Sequence, residues 1–99
     1  MGISRQDFCF AVGYNGEQAI VDKRARNRYG KMSVADLLKE GLFKPALCAA
    51  LYDNDDAAME LVLKTFNENS GSSLRSAEDL KKVFGVFIVP TEIRSVKTV

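Results

Sequence analysis

Asn15-Gly16 is the feature that most restricts what this 99-residue chain can fold into. The dipeptide stands between two β-prone runs, Phe8–Tyr14 and Glu17–Asp22. Both of its residues tolerate the positive φ that a tight hairpin turn demands, so the flanks are expected to close as antiparallel strands. With Asn15 and Gly16 as the loop, Tyr14 faces Glu17, Val12 faces Ala19, Phe10 faces Val21 and Phe8 faces Lys23. Side chains alternate along a strand, which puts Phe8, Phe10, Val12, Tyr14, Ala19 and Val21 on one side. Cys9, Ala11, Gly13, Gln18, Ile20 and Asp22 take the other. The bulky side is expected to rest on helices.

Helical grammar begins after this ribbon. Ser33 with Asp36 resembles a capping box, Met32 with Leu37 a hydrophobic staple, and Gly41 a stop signal. Pro45 suits the first turn of a second helix that runs to about Tyr52. Asp53–Asp56 starts a third, in which Met59, Val62, Leu63 and Phe66 follow helical spacing. Asn67–Ser73 reads as a loop. Ser76 with Asp79 opens a fourth helix, closed by Gly85. The two Ser-x-x-Asp-Leu stretches share capping chemistry, and their flanks do not match as a repeat.

Val86–Val89 is a short apolar run between Gly85 and Pro90, expected to be a strand buried on both faces beside the hairpin. Such a third strand is needed because an isolated two-stranded ribbon is marginal. Thr91–Val99 is β-prone and reads equally as edge strand, partner-binding arm or tail. The expected fold is therefore α+β: an N-terminal hairpin plus a C-terminal strand in a small antiparallel or mixed sheet, packed against about four short helices. Every connection is short, which gives a single domain over residues 1–99.

With 46% hydrophobic residues and a net charge of +1, the composition is that of an ordinary globular chain. Cys9 and Cys48 lie far apart among apolar neighbours and read as buried thiols; nothing supports a disulfide between them. The segment from Met1 to Asp7 lacks a charged start followed by a long apolar run, and Gln6 stands where a myristoylation signal wants Ser or Thr. No apolar stretch approaches the ~20 residues that cross a bilayer. Cytoplasmic residence, with no membrane partner, is the expectation.

Histidine is absent. That removes Ser-His and Cys-His nucleophile–base pairs, and two distant cysteines do not complete a zinc shell. No catalytic residue, metal site or cofactor is assigned, and the chain reads as a non-enzyme. Asp53, Asp55, Asp56 and Glu60 fail the EF-hand pattern, since Ala58 and Lys64 occupy its glycine and distal glutamate places. Gly13-Tyr14-Asn15-Gly16 lacks the helices and cations of a KH clamp, and also the third glycine of a dinucleotide fingerprint. A helix-turn-helix over Ser33–Tyr52 would have a second helix of Ala, Cys and Leu, which reads no bases.

One segment is anomalous. Lys23, Arg24, Arg26, Arg28 and Lys31 lie within nine residues without an acid, leaving nine basic against thirteen acidic residues elsewhere, a balance of −4. The segment reads as a loop or a frayed continuation of the second strand; if the strand continues, Arg24, Arg26 and Arg28 point the same way as a ladder for phosphate or carboxylate, and Tyr29 is placed to stack on a base. The plain alternative is a solvated loop whose cations answer the acids of Asp53–Glu60. Function by exclusion is then a small non-catalytic protein-interaction domain, of adaptor, regulatory or assembly type, whose partner is another protein or a second copy in a homo-oligomer. The second reading is sequence-independent nucleic-acid binding through residues 23–31, with Lys23, Arg24, Arg26, Arg28, Tyr29 and Lys31 as contacts.

Overall fold

Ser4 opens the first element: its Oγ accepts the Asp7 N–H at 3.2 Å, and α1 runs Arg5–Cys9. The computed structural model describes residues 2–99, so Met1, part of the segment weighed as a leader, lies outside the described residues. Phe8, Cys9 and Phe10 are buried, but in a helix and its cap rather than in the expected strand. Capping satisfies an amide that a helix start otherwise leaves unpaired, and here it outweighs the β preference of the aromatic run.

The hairpin forms with a shifted register. β1 (Ala11–Asn15) and β2 (Gln18–Val21) pair antiparallel as Asn15↔Gln18, Tyr14↔Ala19, Gly13↔Ile20 and Ala11↔Val21, with a bulge at Val12. The loop is Gly16-Glu17, because Gly16 alone takes positive φ (+61°) while Asn15 stays extended in the ladder. A loop led by glycine is the other common two-residue hairpin solution. On β2 the expected inner face holds, for Ala19 and Val21 are both fully buried. On β1 it fails. The bulge swaps the sides, so Ala11 turns inward and Val12 outward, 62% exposed.

Residues 23–31 are not a loop or a strand extension. Asp22 accepts the Ala25 N–H at 3.1 Å and caps α2 (Lys23–Tyr29), which ends at Gly30. An added Cβ at Gly30 would collide with the Arg26 carbonyl oxygen of α2 itself and stand 3.2 Å from Gln6 Oε1 on α1, so the end of α2 takes a glycine. The next helices are α3 (Val34–Lys39), α4 (Phe43–Tyr52), α5 (Asp56–Ser70) and α6 (Ala77–Phe84). Ser33 and Ser76 cap α3 and α6 through the Asp36 and Asp79 amides, as their spacing predicts. α5 reaches Ser70 instead of stopping near Asn67, with Asn69 and Ser70 bonding back to the Thr65 and Phe66 carbonyls.

α4 is the centre of the core. Ala46, Leu47, Cys48, Ala49 and Ala50 are all buried, and α1, α3 and α5 pack around them. Its alanines permit close helix approach, while a buried leucine such as Leu47 contributes roughly 1.5–3 kcal/mol over an exposed one. Phe43, Phe66 and Phe84 extend the core as successive edge-to-face contacts at 5.5 Å.

Val86–Val89 is not a strand. Phe87 and Ile88 are exposed, and only Val86 and Val89 lean on the core. Pro90 offers no amide to a ladder. The third strand is β3 (Ser95–Thr98), parallel to β2 with Gln18↔Ser95 through Val21↔Thr98. The sheet order β1-β2-β3 makes it mixed and leaves β1 and β3 as its two edges. The architecture is α+β, a hairpin and a C-terminal strand, with six helices among the described residues where about four are expected.

Candidate functional site

The helical course of residues 23–29 dissolves the expected arginine ladder. Residues two apart in a helix point to different sides, whereas residues four apart share one. Arg24 and Arg28 therefore stand together on the solvent face, and Arg26 turns back to α1, where its guanidinium meets Asp7 Oδ1 at 2.8 Å. Tyr29 packs inward: Phe10 lies against its ring at 6.3 Å and the Arg28 guanidinium covers it at 5.2 Å. Lys23, Arg24, Arg28 and Lys31 are exposed, and none joins an ion pair among the described residues. The acids of Asp53–Glu60 do not answer this segment; Asp53 instead receives the Arg5 Nε–H, 3.0 Å from Oδ1 and 3.2 Å from Oδ2.

A second surface escaped sequence reading. Between the β1 edge and residues 85–90 lies an apolar groove of about 430 Å³. Phe8, Ala11 and Cys48 are among its lining, with Val12 and Tyr14 from β1, and Val86, Phe87, Ile88 and Pro90 from the segment opposite. Val12, Tyr14, Phe87 and Ile88 are 62%, 48%, 52% and 76% exposed, so four large apolar side chains meet solvent around one cleft. The strand edge beside it is unpaired among the described residues, because β1 has β2 on one side only. Lys44 joins the same lining and also borders the neighbouring depression under Val12, with Asp22 and Pro45. The visible signal was the apolar run after Gly85; its reading as a doubly buried strand concealed the groove.

Nothing in the groove resembles an activated nucleophile. Burial pushes the Cys48 thiol up to about 11 even though Lys44 nearby pulls it down. Burial, and then the adjacent Cys48, push Cys9 up to about 12. Both thiols are free, and both hold their protons at neutral pH. The Tyr14 hydroxyl is raised too, by partial burial and by Cys48. Among the described residues, no three His, Cys, Asp or Glu side chains gather as a metal cage, and no helix is long and apolar enough to cross a membrane. The arrangement presents main-chain donors and acceptors next to an apolar trough, which is binding chemistry. Compared with protein-family models, curated proteins and solved structures, the chain matches none.

Proposed function

We propose that this chain is a non-catalytic protein-interaction domain that takes an extended segment of a partner protein along the free edge of β1. The observation that carries the proposal is the coincidence of that unpaired edge with the exposed Val12, Tyr14, Phe87 and Ile88. A strand added at an edge gains main-chain hydrogen bonds, and alternate side chains enter whatever pocket adjoins it. Large exposed apolar patches mark such contacts. The chemistry of the trough selects a segment with apolar residues at alternate positions and a carboxylate that reaches Lys44. A second copy of the chain is the other occupant of this kind, through pairing of two β1 edges. We place this activity in the cytoplasm; two free buried thiols favour a reducing compartment.

The test is selection from a displayed library of random linear peptides, followed by titration of the enriched peptides into wild-type chain and into Ile88→Glu and Phe87→Glu variants. Both positions are exposed, so the fold is retained. Enrichment of alternating apolar sequences, with affinity reduced at least about tenfold in either variant, supports the reading, since a contact of this kind is worth more than about 1 kcal/mol. A concentration-dependent dimer that both variants abolish identifies the second copy as the occupant. The proposal fails if no peptide is enriched and the chain stays monomeric, or if the variants bind as well as wild type.

A further inference from the structure

The exposed face of α2 carries a different chemistry from the β1 groove. Lys23, Arg24, Asn27 and Arg28 lie on it at helical spacing, and Lys31 continues it one turn on. A shallow hollow bounded by Lys23, Arg24, Asn27 and Val99 joins this face to the end of β3, where the Lys23 N–H donates to the Val99 carbonyl at 3.2 Å. By strand alternation Lys97 stands on the same side of β3 as Val99, and it too is exposed. Asp22, the nearest acid in sequence, is engaged as the cap of α2. The result is a run of exposed cations, none of which joins an ion pair among the described residues.

We infer that this stripe, formed by Lys23, Arg24, Arg28, Lys31 and Lys97 with Asn27 among them, binds the phosphate backbone of double-stranded DNA without reading its sequence. Three observations choose that partner. The face exposes no large apolar side chain from α2, since Ala25 and Tyr29 pack on the core; a membrane-lying helix needs an apolar face to bury, and a protein interface needs apolar anchors. Tyr29 is covered by Phe10 and Arg28, so no aromatic platform is free for the stacking on which single-strand binders rely. What remains is spaced positive charge with an amide between, the equipment for contacts to phosphate oxygens. This inference stands apart from the β1 groove and does not depend on it.

The experiment is fluorescence anisotropy of a labelled duplex DNA titrated with the full chain, beginning at about 50 mM salt, where phosphate contacts are strongest. Single-stranded DNA of the same composition, polyglutamate and vesicles of anionic lipid serve as competitors. Five phosphate contacts give a log–log salt slope of roughly −4.5, so raising salt to about 200 mM should weaken binding by about 500-fold. Arg24→Glu with Arg28→Glu should abolish binding while the circular dichroism spectrum stays that of wild type and the melting midpoint falls only by the loss of the Arg28 contact with Tyr29. Arg24→Gln with Arg28→Gln, which removes charge without reversing it, should weaken binding at least about tenfold by losing two contacts. Absence of binding at the lowest salt overturns the inference. So do binding that the charge variants retain, a flat salt dependence, or a preference for single strands, polyglutamate or vesicles over the duplex.

Discussion

At the scale of single residues, neighbours in the basic segment have separate employments. Arg26 and Asp7 are both mostly shielded from solvent, at 23% and 17% side-chain exposure, and they bond at 2.8 Å. Removing the guanidinium leaves a half-buried carboxylate short of a charged donor. Arg26→Ala should therefore destabilise the fold by about 1–2 kcal/mol, in the range of hydrogen bonds to charged groups. Arg24→Ala, at an exposed side chain that joins no ion pair among the described residues, should stay within about 0.5 kcal/mol of wild type. Urea denaturation of the two variants checks this, and equal midpoints would contradict the assignment. The sequence names all these cations and gives no sign of which one turns inward, because that depends on the helical phase of α2 and on Asp7, nineteen positions away.

At the scale of elements, three helices open with the same grammar. Ser4-Arg5-Gln6-Asp7, Ser33-Val34-Ala35-Asp36 and Ser76-Ala77-Glu78-Asp79 each place a serine hydroxyl on the amide three residues on, and each is followed by a buried residue, Phe8, Leu37 or Leu80. Ser4→Ala should cost about 0.5–2 kcal/mol, as an N-cap loss does. Because α1 is only five residues long, the loss should appear as faster hydrogen exchange at the Phe8 and Phe10 amides, which bond to the Ser4 and Gln6 carbonyls. Unchanged exchange there would show that tertiary packing alone holds α1. The caps at Ser33 and Ser76 were legible because nothing nearby competed with them. Ser4 was overruled by the aromatic run that follows it, and Asp22 by a segment with only Ala25 and Tyr29 to mark an inward face. β3 was undecidable for another reason: all four of its residues are exposed, so burial leaves no pattern, and its place is set by pairing with β2. The groove shares that origin, since β1 and residues 85–90 meet only through the fold.

For the molecule as a whole, the two cysteines report on the integrity of the core they occupy. Cys9 from α1 and Cys48 from α4 belong to the same buried cluster, and the Tyr52 hydroxyl donates to the Ile3 carbonyl at 2.8 Å to hold the chain's start against α4. Burial disfavours the thiolate, so both folded values, about 12 and about 11, lie above the ordinary 9.0 that applies once the chain is unfolded. The sign follows from proton binding. Below pH 9 both states keep the protons and the two thiols leave stability independent of pH. Between about 9 and about 12 the unfolded chain has released them while the folded chain still holds them, and stability falls as pH rises. Replacing both residues by alanine should make this alkaline limb of a plot of unfolding midpoint against pH shallower, leaving the part that the raised Tyr14 hydroxyl supplies, although the cavities lower the plateau. At pH 8 a thiol-specific reagent should label wild-type chain only as fast as the core opens, with the rate climbing as urea approaches its unfolding midpoint. A rapid labelling phase for either cysteine in the absence of urea, or an alkaline limb whose slope the double replacement leaves unchanged, would place those thiols outside a closed core.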